Sequence, residues 1–169
     1  AYTKKDLVIT CGYHGWQAWY IGTTTKTEGV PSEVSNLTRT MKYNDIDSLK
    51  KIISQENGKI ACLIMKPMNT DYPKPDYLEE VRKICTDNKI VLIFDEMITG
   101  FRFSNGGAQE LFGVTPDLSC FGKGIANGYP LSAIVGKKEI MLKMEDIFFS
   151  GTFGGELLSL AAAKATITE

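Results

Sequence analysis

Apolar residues recur along this chain in two rhythms, and the switches between them mark out its elements. Short, mainly apolar runs, bounded by glycine, proline, asparagine or charged residues, lie within residues 6–11 (DLVITC), 59–66 (KIACLIMK), 90–94 (IVLIF) and 118–121 (LSCF). Runs of that length, rich in β-branched and aromatic residues, predict strands buried on both faces. Between them the spacing turns helical. Ile46, Leu49, Ile52 and Ile53 predict a helix over 45–56, stopped by Gly58, and Leu78, Val81, Ile84 and Cys85 predict another over 76–87. Alternating strands and helices imply an α/β fold with a mainly parallel sheet and flanking helices. Weaker signals predict a short strand within 36–43, a helical piece at 108–112, a strand of either direction at 131–135, and helices near 138–144 and 156–167. Residues 19–34, rich in Gly, Thr and Lys and without a clean period, read as a long surface loop.

Composition narrows the class. A chain of 169 residues with 43% apolar content can bury one sizeable core, so one domain is expected. With a net charge of −1 nothing is basic enough to suggest nucleic acid, and no apolar run is long enough to span a bilayer. Cys11, Cys62, Cys85 and Cys120 lack CxxC spacing; they read as buried thiols in a reducing, cytoplasmic setting. His14, the one histidine, reads as structural, because a single His cannot build the usual His-rich metal site.

Candidate chemistry gathers at strand ends, where open parallel sheets bind ligands. The run VLIF delivers Asp95-Glu96 and the run LSCF delivers Gly122-Lys123-Gly124, so Asp95 and Lys123 are expected side by side. A lysine in a partly desolvated pocket can form a Schiff base with an aldehyde, and a nearby carboxylate can hold a protonated ring nitrogen. Together these are the protein's side of pyridoxal phosphate chemistry. The alternative is a strand-capping aspartate and a solvated surface amine. At the end of the first strand, Gly12 and Gly15 flank Tyr13 and would turn the backbone sharply enough to present its ring; a core tyrosine is the other reading. Phe149-Ser150-Gly151-Thr152-Phe153-Gly154-Gly155 has the glycine-rich, hydroxyl-bearing character of an anion-binding turn before a helix, or of an ordinary helix entry.

The blocks from Phe94 to Arg102 (FDEMITGFR), Thr115-Pro116-Asp117-Leu118, Phe121-Gly122-Lys123-Gly124 and Gly128 to Ala133 (GYPLSA) resemble, in order and spacing, the class III aminotransferases. These are pyridoxal phosphate enzymes of fold type I, and the likeness is greatest to their glutamate-1-semialdehyde aminomutase-like branch. The resemblance implies that Asp95 partners the pyridine nitrogen and that Lys123 is the Schiff-base lysine. It places Tyr13 on one face of the ring and Met97, where the family usually has valine, on the other. It makes Thr152 a contact to the cofactor phosphate of the neighbouring subunit, and hence implies a homodimer. The implied reaction moves an amino group between an amino donor and a carbonyl acceptor, or back onto the same skeleton. A changed reaction type (racemase or decarboxylase) and a non-catalytic α/β scaffold are the alternatives.

Two features depart from the family. The strand over 59–66 ends in Lys66-Pro67 where the family has Glu-Pro, a charge reversal near the expected pocket; otherwise Lys66 points to solvent. Family members are also considerably longer. Residues 1–169 correspond to the central part of the cofactor-binding large domain, with the phosphate-cup segment expected before them and the small domain after.

Overall fold

A computed structural model describes all 169 residues. Six strands form one mostly parallel sheet: β1 (Leu7–Cys11), β2 (Thr38–Thr40), β3 (Ile60–Met65), β4 (Val91–Asp95), β5 (Leu118–Phe121) and β6 (Ala133–Gly136), in the order β2-β1-β3-β4-β5-β6. The expected α/β class is therefore found. The chain divides into two compact units, residues 3–93 and residues 94–169 with the first two residues.

In the first unit β1 lies parallel to both β2 and β3, with Ile9 opposite Leu63. Both side chains are fully buried, as the mainly apolar runs require. The helices predicted at 45–56 and 76–87 appear as Ile46–Gln55 and Tyr77–Asp87. Asp45 caps the first by accepting a hydrogen bond from the Ser48 amide at 3.0 Å. Leu49 and Val81, on the apolar faces of these helices, are fully buried. Arg39 on β2 closes the far end with two bonds, at 2.9 and 2.6 Å, to one carboxylate oxygen of Glu56.

The expected loop over 19–34 is corrected. Its two ends run into single-turn helices, α1 (Ala18–Ile21) and α2 (Ser32–Ser35), and only the stretch between them is loop; in chain order the two longer helices are thus α3 and α4. Four residues cannot show a 3.6-residue period, so no pattern marks them. The end of α1 is held locally, with the Thr23 and Thr24 hydroxyls donating to the carbonyls of Tyr20 and Ile21.

The second unit carries α5 (Ala108–Phe112), α6 (Lys138–Met141) and α7 (Leu157–Thr168). β6 pairs antiparallel with β5, which settles the direction that the sequence leaves open. The helix expected near 138–144 tightens into a 3₁₀ turn at Leu142–Glu145. Phe121, Ile125, Ala126 and Ala163 form a small core, with Phe101, Leu131 and Ala133 against it. Although α7 is apolar all round, it turns Ser159 and Ala163 inward and leaves Leu157 and Leu158 exposed.

None of the four cysteines is disulfide-bonded; Cys11 and Cys85 are buried, while Cys62 and Cys120 are only half-buried. Burial pushes the thiols of Cys11, Cys62 and Cys120 up to about 11, which keeps them protonated and poorly nucleophilic near neutrality. No helix is long and apolar enough to cross a membrane.

Candidate active site

The second unit brings together three of the five candidate residues. Asp95 ends β4 and is 7% exposed, and its Oδ1 accepts the Met97 amide at 3.1 Å. The next amide, of Glu96, donates to the Cys120 carbonyl at 2.9 Å, which ties the exit of β4 to β5. Beyond β5 the chain passes through an extended Gly122 into a 3₁₀ turn, Lys123–Ala126. Lys123 itself is left-handed, with φ of +46°. Such a conformation costs a side-chain-bearing residue about 1–2 kcal/mol and concentrates at functional sites. Met97 lies directly over Gly122, since a Cβ there would stand 2.8 Å from its Sδ and nearer still to its Cε. A buried carboxylate, a thioether surface and an amine thus share one pair of strand ends.

The expectation of a partly desolvated lysine is corrected. The turn buries Ile125 and Ala126 in the core with Ala163 and leaves the Lys123 side chain exposed.

Tyr13 lies in the first unit, on the turn leaving β1. Gly12 and Gly15 take φ of +102° and +99°, as the sharp turn requires. Tyr13 is 63% exposed with Tyr20 edge-on at 5.5 Å, so it is not a core residue. His14 has a structural place: its ring is within 3.1 Å of the Cys11 carbonyl and stacks on Trp19. Lys66 does not point to solvent. It is 7% exposed, its amide donates to the Cys11 carbonyl at 3.3 Å, and its stem runs alongside Gly12. The charge reversal is therefore built into the strand-end turn that also carries Tyr13.

Thr152 is exposed, in the turn before α7. The amides that open α7 already have an anion: Glu156 accepts from Leu158 at 3.0 Å and from Ser159 at 2.6 Å. An external anion would have to be met by the turn and not by the helix start. Hydrogen bonding by Ser159 holds the Glu156 carboxyl below its ordinary 4.5. A depressed carboxyl stabilises the folded state above its unfolded pKa and loses that contribution as pH falls through the folded value. Protection of the Leu158 and Ser159 amides, taken as exchange relative to the intrinsic rate at each pH, is thus expected to hold above pH 4.5 and to fall below it. Glu156→Gln should weaken that acid step.

Sequence spacing assigns no role to Glu96, yet it is completely buried and collects the Thr99 hydroxyl and the Ala108 and Gln109 amides. The available signal was indirect. Gly106-Gly107 precedes α5 with no Ser, Thr, Asp or Asn at the cap, so the cap had to come from elsewhere in the chain.

The family model for aminotransferase class III matches residues 2–169. The chain is 43% identical to the 3-aminobutyryl-CoA aminotransferase of Cloacimonas acidaminovorans over 98% of its own length and 41% of that protein's. It is 44% identical to the glutamate-1-semialdehyde 2,1-aminomutase of Syntrophobacter fumaroxidans over 82% of its length and 34% of the relative's. Among solved structures, an omega-transaminase from Sphaerobacter thermophilus superposes with a TM-score of 0.88 at 28% identity, covering 99% of this chain and 44% of that one. The PLP internal aldimine form of the Sphingopyxis sp. MTA144 FumI protein gives 0.89 at 28% identity, with 99% and 42% covered. The chain spans less than half the length of these relatives, and it belongs to the class III aminotransferases.

Proposed function

We propose that these residues form the cofactor-binding core of an enzyme that moves an amino group between an amino compound and a carbonyl compound, with pyridoxal phosphate held on Lys123. The observation that carries this reading is the grouping of Asp95, Met97 and Lys123 at the ends of β4 and β5. The three fit the cofactor's chemistry: an anion for a ring nitrogen, an apolar polarisable surface for a ring face, and an amine for an aldehyde. Family membership supports the cofactor class.

When bound, pyridoxal phosphate supplies an electron sink for the electrons of a broken C–H bond. Asp95 would hold the positive ring nitrogen by its opposite charge. The Lys123 amine would hold the cofactor's aldehyde carbon, and its Nζ, when free, would accept a proton from a substrate carbon and return it to a neighbouring one. Tyr13, exposed on its glycine-flanked turn, is assigned to stack on the ring. Thr152 is assigned to the phosphate of a neighbouring subunit. The exposed Leu157 and Leu158 on α7, with Phe148 and Phe149 before it, support a protein-covered face and so a homodimer. The reading carries with it a cytoplasmic setting.

Borohydride reduction of the full-length protein with pyridoxal phosphate, followed by peptide mapping, tests the assignment. The expected result is one reduced adduct, on Lys123. Labelling spread over the surface lysines, unchanged by Lys123→Ala, would overturn it.

A further inference from the structure

We propose that Glu96 is the positioning residue for both reactive groups, fixing the carboxylate of Asp95 and the turn that carries Lys123. The proposal rests on the functional reading above. Glu96 is 0% exposed. Its Oε2 accepts the Thr99 hydroxyl at 2.7 Å and the Ala108 amide at 2.6 Å, and its Oε1 accepts the Gln109 amide at 2.9 Å and the Gln109 side-chain nitrogen at 3.3 Å. Every one of these partners donates, which suits a carboxylate; an amide in its place would turn an N–H against one of them. The approach is close on the backbone side as well, because a Cβ on Gly107 would overlap the carboxylate.

From this anchor two short paths lead to the reactive groups. Toward Asp95, the Met97 amide that orients Oδ1 belongs to the residue directly after Glu96, so a shift at Glu96 carries that donor away. Toward Lys123, the Glu96 amide holds the Cys120 carbonyl, and Gln109 reaches the Ser119 hydroxyl on β5 at 3.0 Å. The Glu96 carbonyl in turn accepts the Gly100 amide at 2.9 Å, and the Gly100 carbonyl borders Gly124, where a Cβ would meet it at 3.1 Å. Glu96 touches neither reacting group. It sets where each one stands.

The test uses the full-length protein with Glu96→Gln and, as a gentler break of the same network, Thr99→Val. Amide exchange is read at Met97, Ala108 and Gln109 without cofactor. The pH midpoint of the absorbance change of Lys123-bound pyridoxal phosphate is read with it. Loss of buried hydrogen bonds predicts exchange at Met97 faster by about tenfold or more in Glu96→Gln. The midpoint should move by about one pH unit as Asp95 loses its fixed orientation. Thr99→Val should move both in the same direction by less, and the amides between β1 and β3 should not respond in either variant. Faster exchange at Ala108 and Gln109 alone, with Met97 and the midpoint at parent values, would reduce Glu96 to a helix cap and overturn the proposal. If the parent takes no cofactor on Lys123, the functional reading fails by itself, and the Met97 exchange alone decides the role of Glu96.

Discussion

Lys123→Ala is expected to lower kcat of the complete enzyme by about 10⁴-fold, because it removes both the covalent anchor and the proton carrier. The cofactor-free protein should unfold within about 0.5 kcal/mol of the parent, as an exposed side chain is all that is lost. Lys123→Gly separates the two aspects of this position. With φ of +46°, residue 123 sits where glycine is at ease and alanine is not. Glycine should therefore be the more stable of the two inactive variants, by up to about 1 kcal/mol after its greater entropy loss on folding. The pair would show strain kept in the fold for the sake of an amine. Denaturant unfolding of the cofactor-free variants measures the difference. Equal stabilities would show that the backbone at 123 is not strained, and a Lys123→Ala protein with parental turnover would remove the lysine from the chemistry altogether.

The strands and the two long helices were legible because each carries its period over enough residues to repeat. DLVITC, KIACLIMK and VLIF needed no more than buried strands need. The same reasoning put Asp95 and Lys123 at the ends of neighbouring strands, since two strand ends in one sheet leave few places for the residues that follow them. It failed where a single turn decides the structure. α1 and α2 are each four residues long, and the direction of β6 depends on the Gly128–Ser132 connection, which has no helical or hairpin signature. Lys66 illustrates a different limit. Its type argued for solvent, but burial of its stem beside Gly12 follows from the meeting of β1 and β3, two strands distant in sequence. Glu96 was invisible for the same reason: its partners lie on a helix twelve and thirteen residues downstream. Side chains whose roles are non-local leave no period behind.

Gly100→Ala is expected to damage the fold around the two strand-end turns. A Cβ at position 100 would stand 2.9 Å from the Glu96 carbonyl oxygen and 2.9 Å from Cε1 of Phe121, with Cδ1 nearer still. The carbonyl cannot withdraw, because it accepts the Gly100 amide and follows directly on Asp95. The ring cannot swing aside either: it is 7% exposed, edge-on to Phe101 at 5.6 Å, and packed with Ile125, Ala126 and Ala163. Overpacking of this kind costs about 1–3 kcal/mol, which lowers the melting temperature of a chain this size by roughly 3–10 °C. Gly122→Ala makes the contrast. Its obstacle is the thioether end of Met97, a flexible group that can rotate away, so the melting temperature should fall by less. The displaced thioether would instead alter the surface offered to the cofactor ring, read as weaker pyridoxal phosphate binding, and Met97→Ala in the same chain should relieve the crowding. A Gly100→Ala protein that melts with the parent would mean that Phe121 has a second place to go, and that the brace between the two strand-end turns is looser than its contacts imply.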